Sequence, residues 1–217
     1  LLSLGFIGAG VVLYLIRKGS SESMSPALMH VIERITNRQL VTDGLTRELR
    51  NIVEDRDNIV KDEFDHAVEN SCYIELPSRS TTEDLWSAVG SELCTCLAER
   101  LSAEKLAGLL REREAESTTA ISSFVAIPHV IVEGEKLFRM VFVRAPEGID
   151  FGKEHPSIRA VFILIGTKDM RNLHLRALAA IAQVVQHAEF ERQWVGAKGP
   201  RELKDHFLLS HRRRAQH

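Results

Sequence analysis

At 217 residues with 44% hydrophobic side chains, the chain can bury the core of one ordinary domain and carry something besides. Twenty-eight basic residues against 30 acidic ones leave a formal net charge of −2, so there is no global positive field to gather nucleic acid, and none is expected as a partner. The three cysteines, Cys72, Cys94 and Cys96, are odd in number and lack metal-ligand spacing, which suits a reducing compartment; neither a metal nor a cofactor is expected.

Residues 1–16, LLSLGFIGAGVVLYLI, carry no charge and run directly into Arg17 and Lys18. A complete span takes roughly 20 apolar residues, so residues 1–18 read as the end of a transmembrane helix that starts upstream. A secretory signal would place its basic residues before the apolar run. By the positive-inside rule the basic pair puts residues 17–217 in the cytoplasm, beneath an inner membrane. A buried core helix is the alternative for the same segment.

After the flexible GSSES, the stretch PALMHVIERITNRQL sets Leu28, Val31, Ile32 and Ile35 at helical spacing, with Pro26 near the start. Residues 45–70 are dense in charges of both signs, with intermittent apolar members, and predict a second helical element. Residues 19–71 therefore form a helical linker from membrane to domain. The pattern changes at Cys72. Residues 72–76 are strand-like, Pro77 and Ser78 break the strand, and Ser80 or Thr81 caps a helix over 82–99. Ser102 caps another over 103–114. Apolar strand-like runs follow at 123–132, broken by Pro128, then at 137–144 and 159–166, with EGEK and PEGIDFGKEHP as the turns between them. Helical patterns close the chain at 170–187, 188–195 and 200–209, and residues 210–217, with HRRR, form a basic tail expected to be solvated. Helices around central strands indicate an α/β or α+β sandwich over one sheet.

Two histidines stand out in this frame. Pro128 restricts Ile127 to extended geometry and cannot donate to a sheet ladder, so it should end or expose the strand and present His129 at its terminus. A histidine that carries a phosphoryl group needs a neutral ring nitrogen aimed outward and donors for the phosphoryl oxygens. Arg111 and Arg113 supply nearby cations, and Thr118 and Thr119 hydroxyls. In GTKDMRNLHLRALAAIAQVV, Asp169 is a candidate cap that puts His174 near a helix start, where the positive helix end favours a neutral ring. A histidine packed against the sheet accounts for His174 equally well.

The segments LLREREAESTTAISSFVAIPHVIV, RAPEGIDFG, IRAVFILIG and HLRALAAIAQVV resemble the type-2 IIA domain of the bacterial phosphoenolpyruvate-dependent sugar phosphotransferase system, the fructose, mannitol and nitrogen-regulatory class. The likeness spans residues 72 to about 207. It implies an α/β fold with a single mixed β-sheet sandwiched by helices over 72–209. By that resemblance His129 is the phosphorylated histidine, His174 the second active-site histidine, Arg113 the arginine of the "RE" pair sixteen residues before His129, and Thr119 the threonine of the "ST" element. The partner it implies is a histidine-containing phosphocarrier protein. Where the family usually has glycines before the strand and a small residue after the histidine, this chain has Ser122, Ser123, Phe124 and Val130, whose bulk predicts a crowded acceptor and slow transfer.

The membrane-proximal part, HVIERI through LRNIVEDRDNIVKDEFD, also resembles the cytosolic tail of some prokaryotic amino-acid permease-like transporters that carry regulatory domains. The expectation is therefore a IIA-like regulatory domain joined to a membrane transporter domain in the same chain. The competing readings are a ligand-sensing or homodimerising module that has lost phosphotransfer, and a sugar phosphotransferase IIA component. The last would need an accompanying IIB domain, of which these residues show no pattern.

Overall fold

The computed structural model describes residues 43–57, 59–97 and 101–214. The membrane helix expected over residues 1–18 and the helix expected from Pro26 lie outside them. Among the described residues no helix is long and apolar enough to cross a membrane. Two units are distinguished, residues up to Val60 with Leu209–His211, and Lys61–Leu208 with the residues from Arg212 onward.

The first unit carries helix α1, Asp43–Arg56. Its end is closed by the amide of Asp57 donating to Val53 O at 3.0 Å and by an Arg56–Asp57 ion pair at 2.7 Å.

In the second unit α2 (Glu63–Glu69) starts on its own cap, so the helical element expected over 45–70 is two helices. Asp62 accepts the Asp65 amide at 3.0 Å and Asp65 accepts the Asp62 amide at 3.1 Å, a reciprocal capping box that gives α2 a start of its own. Phe64 and Val68 of α2 belong to the core of this unit, upstream of the linker boundary expected at residue 71.

Strands β1 (Cys72–Glu75), β2 (Ser80–Thr81), β3 (Val125–Ala126), β4 (His129–Val132), β5 (Phe138–Asp150) and β6 (Ile158–Thr167) form one mixed sheet. The long β5 and β6 pair antiparallel at its centre. β1 and β2 run parallel to β5 on one side, while β3 and β4 run parallel to β6 on the other. Alternate residues of the central strands go to opposite layers. Phe138, Met140, Phe142, Phe162 and Leu164 meet α2, α5 (Arg171–Val185), α6 (Phe190–Gly196) and α7 (Pro200–Leu208). Val141, Val143, Val161, Ile163 and Ile165 meet α3 (Thr82–Leu97) and α4 (Ala103–Glu116). Burial on both faces is why β6 reads as an unbroken apolar run.

Local signals account for most element starts. Thr81 caps α3 by accepting the Asp84 amide, with Asp84 reaching back to Thr81, and Ser102 caps α4 by accepting the Lys105 amide at 3.2 Å. Asp169 does not cap α5; it sits in a 3-10 turn, Lys168–Met170, and accepts the Lys136 amide at 2.8 Å. The turn expected from Pro146 to Pro156 is also shorter than its sequence suggests. β5 continues to Asp150 across a bulge between Arg144 and Ile149, and the reversal lies at 151–157. In that bulge Gly148 has φ +85, and a Cβ there would stand 2.3 Å from Ser157 Oγ. Gly148→Ala is expected to lower stability by about 1–3 kcal/mol, read as a reduced urea midpoint at unchanged slope.

Two arginines of the basic tail, Arg212 and Arg214, are held by buried carboxylates rather than solvated. Arg212 is buried, donates to both carboxylate oxygens of Asp62 at 2.7 and 2.8 Å, and lies 2.8 Å from Asp65; Arg214 reaches Asp65 at 3.0 Å. The two α2 carboxylates are themselves buried, and a buried charge needs a partner.

Candidate functional site

β3 and β4 share one register against β6, with Val125 opposite Ala160 and His129 opposite Leu164, so the chain stays extended through Ile127 and Pro128. Pro128 removes a ladder donor without turning the chain, and its carbonyl still accepts the Leu164 amide at 3.0 Å. His129 thus opens β4 on the edge of the sheet, half-buried. Its Nδ1 lies 2.9 Å from the Ile127 carbonyl oxygen. A carbonyl only accepts, so Nδ1 carries the hydrogen and Nε2 of the neutral ring keeps its lone pair.

His174 comes from the first turns of α5, which follows β6 across the 3-10 turn. Its ring stands 5.7 Å from that of His129, edge to face, and 5.9 Å from that of Phe138, again edge to face. The side chain is buried, and neither ring nitrogen has a hydrogen-bond partner. Burial, with the neighbouring His129 as a lesser cause, pushes its pKa down to about 4 from 6.5. The ring is neutral at pH 7, with one N–H donor uncommitted. Folding must exclude the proton that an unfolded His174 would bind, so this burial costs nothing above pH 6.5 and destabilises progressively as pH falls toward 4. At about 1.4 kcal/mol per unit, the full loss is roughly 3 kcal/mol. Denaturant melts should show His174→Leu flattening the stability decline between pH 6.5 and pH 4 relative to the unsubstituted chain.

The two histidines are brought together as the sequence suggests, while the other two expected residues are otherwise engaged. Arg113 sits in the last turn of α4, a helix packed against β4, and donates to Ser117 O at 2.9 Å. Thr119 is buried; both its amide and its hydroxyl donate to the Glu114 carboxylate, and its carbonyl accepts the Ile127 amide at 2.9 Å. Its single hydroxyl hydrogen is therefore directed at Glu114, and Thr119 holds the loop beside Ile127. Glu114, the second member of the "RE" pair, is what holds Thr119, and the five-residue spacing between them is its signal in the sequence.

The expected crowding is absent. Phe124 lies five residues before His129, roughly 16 Å along an extended chain, and turns into the core against Phe190 at 6.3 Å. Val130 projects from β4 into the α3–α4 layer, away from the side that His129 shares with Leu164. Among the described residues no group of three or more His, Cys, Asp or Glu is placed to hold a metal ion.

Residues 85–209 match the family described as "Phosphoenolpyruvate-dependent sugar phosphotransferase system, EIIA 2". The chain belongs to this family. Similar proteins include the "PTS system fructose-specific EIIA component" of Haloferax volcanii, 26% identical over 97 residues that cover 44% of this chain and 63% of that protein. Another is the "Mannitol-specific phosphotransferase enzyme IIA component" of Geobacillus stearothermophilus, 33% identical over 81 residues, 36% of this chain and 53% of that protein. The chain thus spans between half and two-thirds of the length of these two relatives. Among solved structures, the nitrogen regulatory protein IIA-Ntr of Neisseria meningitidis superposes with a TM-score of 0.56 at 20% identity, over 66% of this chain and 94% of that one. The mannitol IIA of Escherichia coli gives 0.50 at 20% identity, over 64% and 95%. Both share the mixed sheet with helices, the EIIA fold.

Proposed function

We propose that this EIIA domain accepts a phosphoryl group on Nε2 of His129 from a phosphohistidine of a phosphocarrier protein. The observation that carries the reading is the pair itself, a nucleophilic Nε2 fixed by the Nδ1–Ile127 bond, with a buried neutral imidazole at 5.7 Å whose ring nitrogens are unpartnered. In the transfer the Nε2 lone pair forms the new N–P bond as the donor's N–P bond breaks, while Nδ1 keeps its hydrogen and goes on donating it to the Ile127 carbonyl oxygen. His174 donates its N–H to a phosphoryl oxygen, and Arg113 adds positive charge.

The apolar start of the sequence and its basic flank support the further reading that the domain regulates a membrane transporter within the same chain. The fructose and mannitol names of its relatives favour a second reading, a sugar phosphotransferase component. Incubating the chain with phosphoenolpyruvate, enzyme I and the phosphocarrier protein tests the shared step. An acid-labile label on His129 is expected, and a folded chain that takes none with excess carrier overturns the reading.

A further inference from the structure

Gly166 occupies the penultimate position of β6, directly after the aliphatic run Ile163–Leu164–Ile165, paired with Phe138 on one side and Ile131 on the other. Its φ lies outside the left-handed region, where Gly134, Gly148 and Gly152 are found, so its backbone does not require glycine. Glycine inside a strand weakens it, and such a residue marks a place where something approaches the backbone closely. What approaches Gly166 is the second histidine. A Cβ at 166 would stand 3.2 Å from His174 Nδ1 and 3.4 Å from Phe138 Cδ2.

We infer that Gly166 is the positioning residue for His174: its bare backbone is a pad on which the imidazole rests, and Phe138 closes the other side so that the ring is held edge to face against His129. The two ring contacts, 5.7 Å to His129 and 5.9 Å to Phe138, leave His174 little room to move sideways, so a methyl group under it lifts the ring away from the sheet. The displacement is a few tenths of an ångström. That suffices to misalign a donor with a phosphoryl oxygen on His129 and to admit water to an imidazole that is now dry. The titratable group facing His174 is His129 from β4; Gly166 and Phe138 present none.

This inference rests on the phosphoacceptor reading, and the test separates the two. In the full chain, NMR titration should place the His174 ring well below 6.5, and Gly166→Ala should move it measurably upward. In the labelling reaction Gly166→Ala should slow transfer about three- to tenfold, since a whole ångström of misplacement costs about a hundredfold. In a His174→Ala background the same substitution should change nothing further, because it acts through that ring. An unmoved His174 titration, or a Gly166→Ala effect that persists undiminished without His174, overturns the inference. If the unsubstituted chain takes no label, the proposed function falls and the titration alone decides whether Gly166 positions His174. If Gly166→Ala does not fold, Phe138→Leu serves in its place, since loosening the opposite wall should raise the same titration.

Discussion

His129→Ala is expected to remove all label from the chain, and His129→Gln to do the same, because both lack the ring nitrogen that forms the N–P bond. The loss should not come from unfolding. His129 is half-buried on an edge strand, its ring making one hydrogen bond to its own backbone two residues back, so thermal melts of the variants should stay within a few degrees of the unsubstituted chain. His174→Ala should behave differently. The nucleophile remains, and what disappears is one hydrogen-bond donor and the wall that orients the acceptor, a loss of about a hundredfold in rate with the final extent of labelling kept. A His174→Ala chain as dead as His129→Ala would make His174 an obligatory carrier in its own right. Label retained in His129→Ala would move the acceptor elsewhere and remove the basis for the proposed function.

The histidine pair was legible because each member sits in a local pattern, His129 after an extended Ile–Pro and His174 in the opening turns of an amphipathic helix. The distance between them was not legible. It is set by β4 and α5 flanking the same strand, and by the absence of a side chain at Gly166, whose sequence neighbours give no hint of a ring resting on it. β6 was easy to find because both faces are buried. The far half of β5 was hidden by Pro146 and Gly148, which mark a turn in most contexts and here mark a bulge that keeps pairing with β2 and β6. The supposed crowding by Phe124 and Val130 failed for a related reason. Proximity in sequence says nothing of the sheet face to which a side chain goes, and one residue of offset sends Val130 to the layer opposite His129.

Helix α2 falls within the expected helical element, but its burial in the core was the least legible feature, and the reason is electrostatic. Phe64 and Val68, one turn apart, are the helix's apolar stripe, but they are surrounded by acidic residues that look like a solvated surface. Two of those acids, Asp62 and Asp65, are buried, and their counterions lie about 150 positions downstream in the tail, too far for any local pattern to join them. Arg212 makes a two-pronged contact with Asp62, approaches Asp65, and lays its guanidinium 4.5 Å from the centre of the Phe64 ring. Arg212→Ala should therefore cost about 3–5 kcal/mol, because it strands buried carboxylates rather than merely losing an attraction. Arg212→Lys should recover only part of that, since an ammonium cannot bond both oxygens of Asp62 in one plane. Combining Arg212→Met with Asp62→Asn should be far milder than Arg212→Ala, because Asp65 keeps Arg214 as its partner, no carboxylate is left without a counterion, and asparagine still caps α2. Added salt should barely change the cost, as a buried pair is poorly screened. Urea melts of the four chains give the comparison. A cost below about 1 kcal/mol for Arg212→Ala, the range of an exposed ion pair, would return the tail to the solvated state that its sequence suggests.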